Sequence, residues 1–233
     1  MTAVELWLIR TDQPPPVCTE LGALLDPEEQ ERARCTTDPR RRCRFVVAHG
    51  AARLLTGARA GRPAADLRWR RGPHGKPELA GPPGPEPGPA VNLSTAGAFA
   101  LFALTDDRAV GVDLEPVPTG PTALRLARRY FPPDEAEWVA EDRPAERFAR
   151  QWTRKEALVK AVGGRLAEGL RHPLPGPRQV LAETAAGPCR VADLAAPPGH
   201  RAAVALLGPG PFTVHQRLWC PATNVNSSSL VDS

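Results

Sequence analysis

Lysine, tyrosine, methionine and aromatic side chains are scarce in this chain, and long apolar runs are absent. Of 30 Lys plus Arg only three are lysines, Lys76, Lys155 and Lys160, while Tyr and Met each occur once and aromatics make up 5% of residues. With so few aromatics there is no base-stacking platform, and the arginine run Arg32, Arg34, Arg40, Arg41, Arg42, Arg44 comes with no recognition motif. A nucleic-acid-binding protein is therefore kept only as an alternative reading, and no nucleic-acid partner is expected. No apolar stretch approaches ~18 residues, so no membrane span is expected. The opening MTAVELWLIRTD lacks a basic start followed by a long apolar stretch, so it is not read as a signal peptide, and a cytoplasmic protein follows. The five cysteines form no C-x-x-C pair, which predicts free thiols rather than a metal cluster. Also missing are G-x-x-x-x-G-K-[ST], H-E-x-x-H, G-x-S-x-G, and a G-x-G-x-x-G after a strand, which removes the familiar nucleotide, zinc and serine-hydrolase sites.

At 233 residues and a formal net charge of +4, the chain can bury a real core and suits an acidic or phosphorylated partner. Arginine in place of lysine nearly everywhere, beside abundant Ala, Pro and Gly, reads as the composition of a GC-rich genome. A lysine retained under that bias is informative, because an ammonium and a guanidinium do different work at a site.

AVELWLIR (3–10) has the alternation and branching of a first strand. Asp26-Pro27-Glu28-Glu29 opens a helix running to about Arg34, and a second spans Arg40 to Thr56 with Gly57 as its stop. Residues 72–90 hold seven prolines and five glycines and predict a loop without regular structure. The runs AFALFAL (98–104) and AVGVDLE (109–115), four residues apart, predict a β-hairpin. Helices follow over Thr122–Tyr130, Pro133–Val139 and Ala145–Val162, the last stopped by Gly163-Gly164. Strands are expected at Gln179–Glu183, Ala202–Leu207 and Phe212–Leu218. The polar tail at 223–233 is read as disordered or of cloning origin and is set aside. This mixture, with mostly antiparallel strands, predicts an α+β fold.

Asp113 and Glu115 are two apart on a predicted strand and so share a face with Gly111, whose missing side chain leaves room, while Val110, Val112 and Leu114 face a core. Such paired carboxylates suit a hard divalent cation. On the long helix, Phe148, Trp152 and Val159 share an apolar face; Glu156 and Lys160 lie at its edge and Lys155 on the other flank. Alone, the strand pair reads as a solvated strand end and the helix pair as an ordinary i,i+4 surface pair. Together they suggest phosphoryl chemistry, with another Mg²⁺-dependent phosphotransferase as a second alternative. His49, on a helix face, is read as a core or interface histidine.

GVDLE, followed by FARQWTRKEALVK, resembles the surfactin-type (Sfp-like) 4′-phosphopantetheinyl transferases, whose pattern is G-[IV]-D-x-E and then W-[ST]-x-K-E-[AS]-x-x-K. GKPEL (75–79), VNLSTAG (91–97) and GGRL (163–166) resemble further motifs of that family. The resemblance implies transfer of the 4′-phosphopantetheine arm of coenzyme A to a serine of an apo acyl or peptidyl carrier protein, as in polyketide and nonribosomal peptide biosynthesis. By that analogy Asp113, Glu115 and Glu156 hold Mg²⁺, and Glu156 or a metal-bound water takes the serine proton. Lys160 stabilises charge on the pyrophosphate with Lys155 nearby. Lys76, Ser94 and Thr95 bind coenzyme A around its 3′-phosphate, with Arg32 and more weakly Arg44. Thr95 stands where the family has a histidine. The implied fold is a monomeric pseudo-dimer of two similar α/β halves, divided here as 1–108 and 109–222.

Overall fold

The computed structural model describes residues 2–72, 77–80, 88–164, 169–174 and 179–221. Lys76, Arg165 and Leu166 of GGRL, and the tail at 223–233 lie outside the described residues.

Two four-stranded sheets form the centre. The first has the order β10 (Phe212–Trp219), β1 (Thr2–Arg10), β5 (Phe99–Thr105), β4 (Ala90–Ala96). The second has the order β6 (Val110–Pro116), β9 (His200–Leu207), β8 (Gly187–Leu194), β7 (Gln179–Thr184). All their ladders are antiparallel except β1 with β10. The strand nearest the C-terminus thus lies in the sheet built from the first half of the chain. Helices α1 (Pro15–Gly22), α2 (Pro27–Cys35) and α3 (Pro39–Ala60) precede β2 (Trp69–Arg71) and β3 (Pro77–Leu79), while α4 (Gly120–Tyr130), α5 (Pro133–Glu141) and α6 (Pro144–Val162) follow β6.

Period-two alternation sorts the strand residues into layers. Ile9, Ala100, Phe102 and Leu104 face α1 and α3, where Leu21, Val47, Ala48 and Ala51 complete one core. From the opposite face of that sheet, Val4, Leu6, Leu101 and Ala103 meet Val110, Val112, Leu114, Val204 and Leu206 of the second. Ala203, Ala205 and Val191 then receive Ala157, Leu158 and Ala161 of α6. The order is helices, sheet, sheet, helices. It is a mixed α+β architecture with mostly antiparallel strands, as the sequence predicts.

Several local expectations change. β5 and β6 do not form a hairpin: β5 pairs with β1 and β4, and β6 pairs with β9. β5 is apolar on both faces and β6 on the face of Val110, Val112 and Leu114, and stacking that face on the β5 sheet buries it as well as edge pairing would. The actual hairpin partner of β5 is β4, in the segment VNLSTA. Within the proline-rich stretch, Pro77–Leu79 pairs antiparallel with Trp69–Arg71. Helix α3 runs past Gly57 and ends at Gly61 in the left-handed region, φ 62°. Gly57 is needed for another reason, since a Cβ there would lie 2.6 Å from the carbonyl oxygen of Arg62. The sequence reading contains neither α1 nor β8. Cys18 and Cys43 form a disulfide between α1 and α3, which overturns the free-thiol expectation for those two; Cys35, Cys189 and Cys220 are in no disulfide.

One contact fixes the second half. A Cβ on Gly111 of β6 would fall 2.2 Å from Ala157 O and 2.3 Å from Ala161 N of α6. These are backbone atoms and cannot swing aside. Gly111→Ala is expected to lower unfolding free energy by about 2 kcal/mol or more, because α6 must lift off the sheet. Urea denaturation reads this directly, and unchanged stability would mean that α6 does not lie on Gly111.

Candidate active site

The alternation of β6 puts Val110, Val112 and Leu114 between the sheets and Gly111, Asp113 and Glu115 toward α6. The space left by Gly111 is not a vacancy for a ligand, as the sequence reading has it. The α6 backbone fills it, and that close approach lowers Glu156 and Lys160 onto Asp113. Asp113 is 1% exposed. Its Oδ1 lies 2.6 Å from Lys160 Nζ and accepts from Ser94 Oγ at 2.9 Å. Lys160 Nζ also donates to Ser94 Oγ at 3.1 Å and lies 3.6 Å from Glu156 Oε2. Asp113, Glu115 and Glu156 each offer a carboxylate oxygen within 4.8 Å of the others.

The cluster is electrostatically strained. Burial pushes the Glu115 carboxyl up to about 7, helped by the charges of Asp113 and Glu156 and opposed by Lys160. Burial and Asp113 likewise raise Glu156, while Lys160 and the Trp152 indole N–H, which donates to it, pull it back. One ammonium cannot compensate three carboxylates. Moreover, Asp113 Oδ2 is buried with no hydrogen-bond partner. An all-oxygen set with an orphaned carboxylate oxygen and excess negative charge is what a hard divalent cation requires, so these residues fit Mg²⁺.

β4 completes the site from the first sheet. It and β6 are the edge strands of their sheets, and side chains close the gap between them: Val112 N donates to Asn92 Oδ1 at 2.8 Å, and Leu114 N to Ser94 Oγ at 3.3 Å. Ser94 is therefore in the carboxylate cluster rather than exposed to a phosphate. Thr95, the next residue, points to the other face of β4. It lines a cleft of ≈ 290 Å³ with Arg32, His49, Trp69 and Arg70 among others. Arg32 stacks over Phe45 at 5.1 Å, and His49 Nδ1 is 2.9 Å from Glu29 Oε1. So His49, read as a core or interface histidine, borders the cleft. Arg44 is engaged elsewhere: with Arg40 it clasps Asp12, at 2.6 and 2.7 Å, and these hydrogen bonds, that of Arg44 first, hold the Asp12 carboxyl well below its usual range.

Lys155 is not brought to the cluster. It is fully buried on another side of α6, 2.6 Å from Glu135 Oε2, and donates to the carbonyl of His172. Asn92 and Glu135 are the contributors the sequence reading passes over. Asn92 sits inside the VNLSTAG motif without a visible role, and Glu135 looks like an ordinary first-turn acid.

The strain has a measurable sign. A carboxyl whose folded pKa is about 7 against a usual 4.5 destabilises the fold increasingly as pH rises through that window, fully above it. In metal-free protein, Glu115→Gln is therefore expected to raise the melting temperature at pH 8 and to leave it unchanged near pH 4.5. Thermal scans at both values test this, and an equal effect at both would remove the electrostatic cause.

Comparison with known proteins bears on the same segments. Residues 109–197 match the model of the 4′-phosphopantetheinyl transferase superfamily, a stretch that includes β6 and α6. The chain is 34% identical over 168 residues to the 4′-phosphopantetheinyl transferase HetI of Nostoc sp., covering 71% of this chain and 70% of that protein. It is 31% identical over 174 residues to slr0495 of Synechocystis sp., which carries a 4′-phosphopantetheinyl transferase name, covering 73% of this chain and 69% of that protein. A shorter match, 38% over 96 residues, is to the 4′-phosphopantetheinyl transferase AcpT of Escherichia coli, 40% of this chain and 47% of that protein. With two relatives above 30% identity across more than two thirds of their length, and with the motif carboxylates gathered at one point, the chain belongs to the 4′-phosphopantetheinyl transferase family.

Proposed function

We propose that this protein is a surfactin-type enzyme that moves the 4′-phosphopantetheine arm of coenzyme A onto a serine hydroxyl of an apo acyl or peptidyl carrier protein, acting as a cytoplasmic monomer. The observation that carries the reading is the seam between β4 and β6, where Asp113, Glu115, Glu156, Lys160 and Ser94 converge. It lies one residue along β4 from a cleft containing Arg32, His49 and Thr95.

In this reading the serine oxygen attacks the coenzyme A phosphorus that bears the pantetheine arm. A new P–O bond forms, the pyrophosphate P–O bond breaks, and adenosine 3′,5′-bisphosphate leaves with the electron pair. The serine proton passes to Glu156 or to water. Asp113, Glu115 and Glu156 would hold Mg²⁺, which supplies charge neutralisation on the pyrophosphate. Lys160, already held by Asp113 and Ser94, offers its remaining N–H to the 5′-phosphate of the leaving nucleotide. Arg32, Thr95 and His49 receive the anionic nucleotide end in the cleft, with Lys76 and Arg44 as further candidates for coenzyme A. Thr95 donates one hydrogen bond and carries no charge, so the cleft depends on its neighbours for positive charge.

Incubating the protein with apo carrier, coenzyme A and Mg²⁺ is expected to add the mass of one phosphopantetheinyl group to the carrier. An unmodified intact mass across several carriers would refute the reading. Asp113→Ala and Glu156→Ala are expected to abolish transfer in folded protein.

Lys160→Arg is expected to lower kcat by about tenfold or more, roughly 1.4 kcal/mol, since a branched guanidinium does not fit between Asp113, Ser94 and Glu156. Steady-state kinetics would show this, and an unaffected rate would remove the need for an ammonium.

A further inference from the structure

Three consecutive residues of α6 aim at three different walls. Arg154 is fully buried and reaches Asp193 of β8, its Nε 2.6 Å from Oδ1 and its Nη2 2.9 Å from Oδ2. Lys155 is fully buried and reaches Glu135 of α5 at 2.6 Å. Glu156 joins the carboxylate cluster on β6. At about 100° per residue these side chains fan across more than half the helix circumference. Fixing the first two therefore fixes where the third points.

Lys155 and Glu135 are each held by further contacts. Its Nζ lies 5.0 Å from the centre of the Phe131 ring and donates to the His172 carbonyl. Glu135 spends its other oxygen on Leu174 N, at 2.6 Å. One ion pair thus links α5, α6 and the segment 169–174. Burial pulls the Lys155 ammonium down, and Glu135 opposes that pull. No atom of this set touches Asp113, Glu115 or Lys160 in the interactions described.

We infer that Lys155 and Glu135 form a positioning pair that sets the rotation of α6, and hence the aim of Glu156 and Lys160, rather than contacting the diphosphate themselves. This rests on the transferase reading given above. It assigns Lys155 a different task from the one the family resemblance implies, and it gives Glu135 a task for the first time. The charge on Lys155 matters only because a buried Glu135 must be matched. Removing one partner leaves a buried charge uncompensated, whereas removing both charges together leaves the packing intact.

The test is a double-variant cycle of Lys155→Met, Glu135→Gln and the two combined. Met keeps the length of the lysine stem, and Gln keeps an acceptor for Leu174 N. Lys155→Met alone is expected to lower kcat by about tenfold or more with little change in the KM for coenzyme A, and the combined variant to return to within about threefold of wild type. Mn²⁺ titration followed by the electron paramagnetic resonance of the free ion should rank the proteins the same way without coenzyme A or carrier. If wild type transfers nothing, the transferase reading fails, while the Mn²⁺ ranking still decides the role of the pair. A direct diphosphate contact predicts the opposite pattern: raised KM for coenzyme A and no rescue in the combined variant, and either result overturns the inference. Should Lys155→Met fail to fold, the combined variant decides alone. Folded and within about threefold of wild type, it supports the inference; slower or unfolded, it overturns it.

Discussion

The backbone of α6 lies so close to Gly111 of β6 that even a methyl group would collide with Ala157 O and Ala161 N. The site follows from this approach. A helix at ordinary distance from a sheet holds its polar side chains clear of the strands. Here it sits deep enough for Lys160 Nζ to reach Asp113 and for Glu156 to join the two strand carboxylates. The same packing excludes water from Asp113, leaving Oδ2 buried with no hydrogen-bond partner and the cluster short of positive charge. Tight packing and the gathering of negative charge are here one physical fact.

A second constraint comes from the meeting of two sheet edges. Open strand edges carry unpaired N–H groups, and in this chain Asn92 and Ser94 of β4 satisfy those of Val112 and Leu114 on β6. That joins the halves at the point where the carboxylates converge. Ser94 serves both ends, accepting from Leu114 N and Lys160 Nζ and donating to Asp113. Thr95, pointing the other way, borders the cleft instead. Two adjacent residues of one motif are thus separated in role by the pleat of the strand.

The period-two face of β6, the extent of α6 and its stop at Gly163 were readable because they depend on near neighbours in the chain. So was the helix start at Asp26-Pro27-Glu28-Glu29, where the structure adds a capping box, Asp26 accepting from Glu29 N and Glu29 from Asp26 N. The β5–β6 pairing was misread because two apolar runs joined by a short turn satisfy a hairpin and a stacked pair of sheets equally well. Helix α1 was missed because its prolines look like breakers, although at the first helical positions they cost no hydrogen bond. Lys155 was grouped with Lys160 because both occur in one motif. Five residues of helix separate them, and that rotation sends one to Glu135 and the other to Asp113.

By itself the sequence determined which side chains are available to form the carboxylate cluster. The identities and spacing of Asp113, Glu115, Glu156 and Lys160, and the glycine at 111, are local properties of two segments. Only the tertiary structure decided what those residues meet. It turned the room beside Gly111 into a seat for α6, placed Ser94 with the cluster and Thr95 with the cleft, and withdrew Lys155 into a buried ion pair. The reason is physical: spacing along a strand or helix fixes direction relative to that element alone. The partner in that direction is set by long-range packing, which no short stretch of sequence contains.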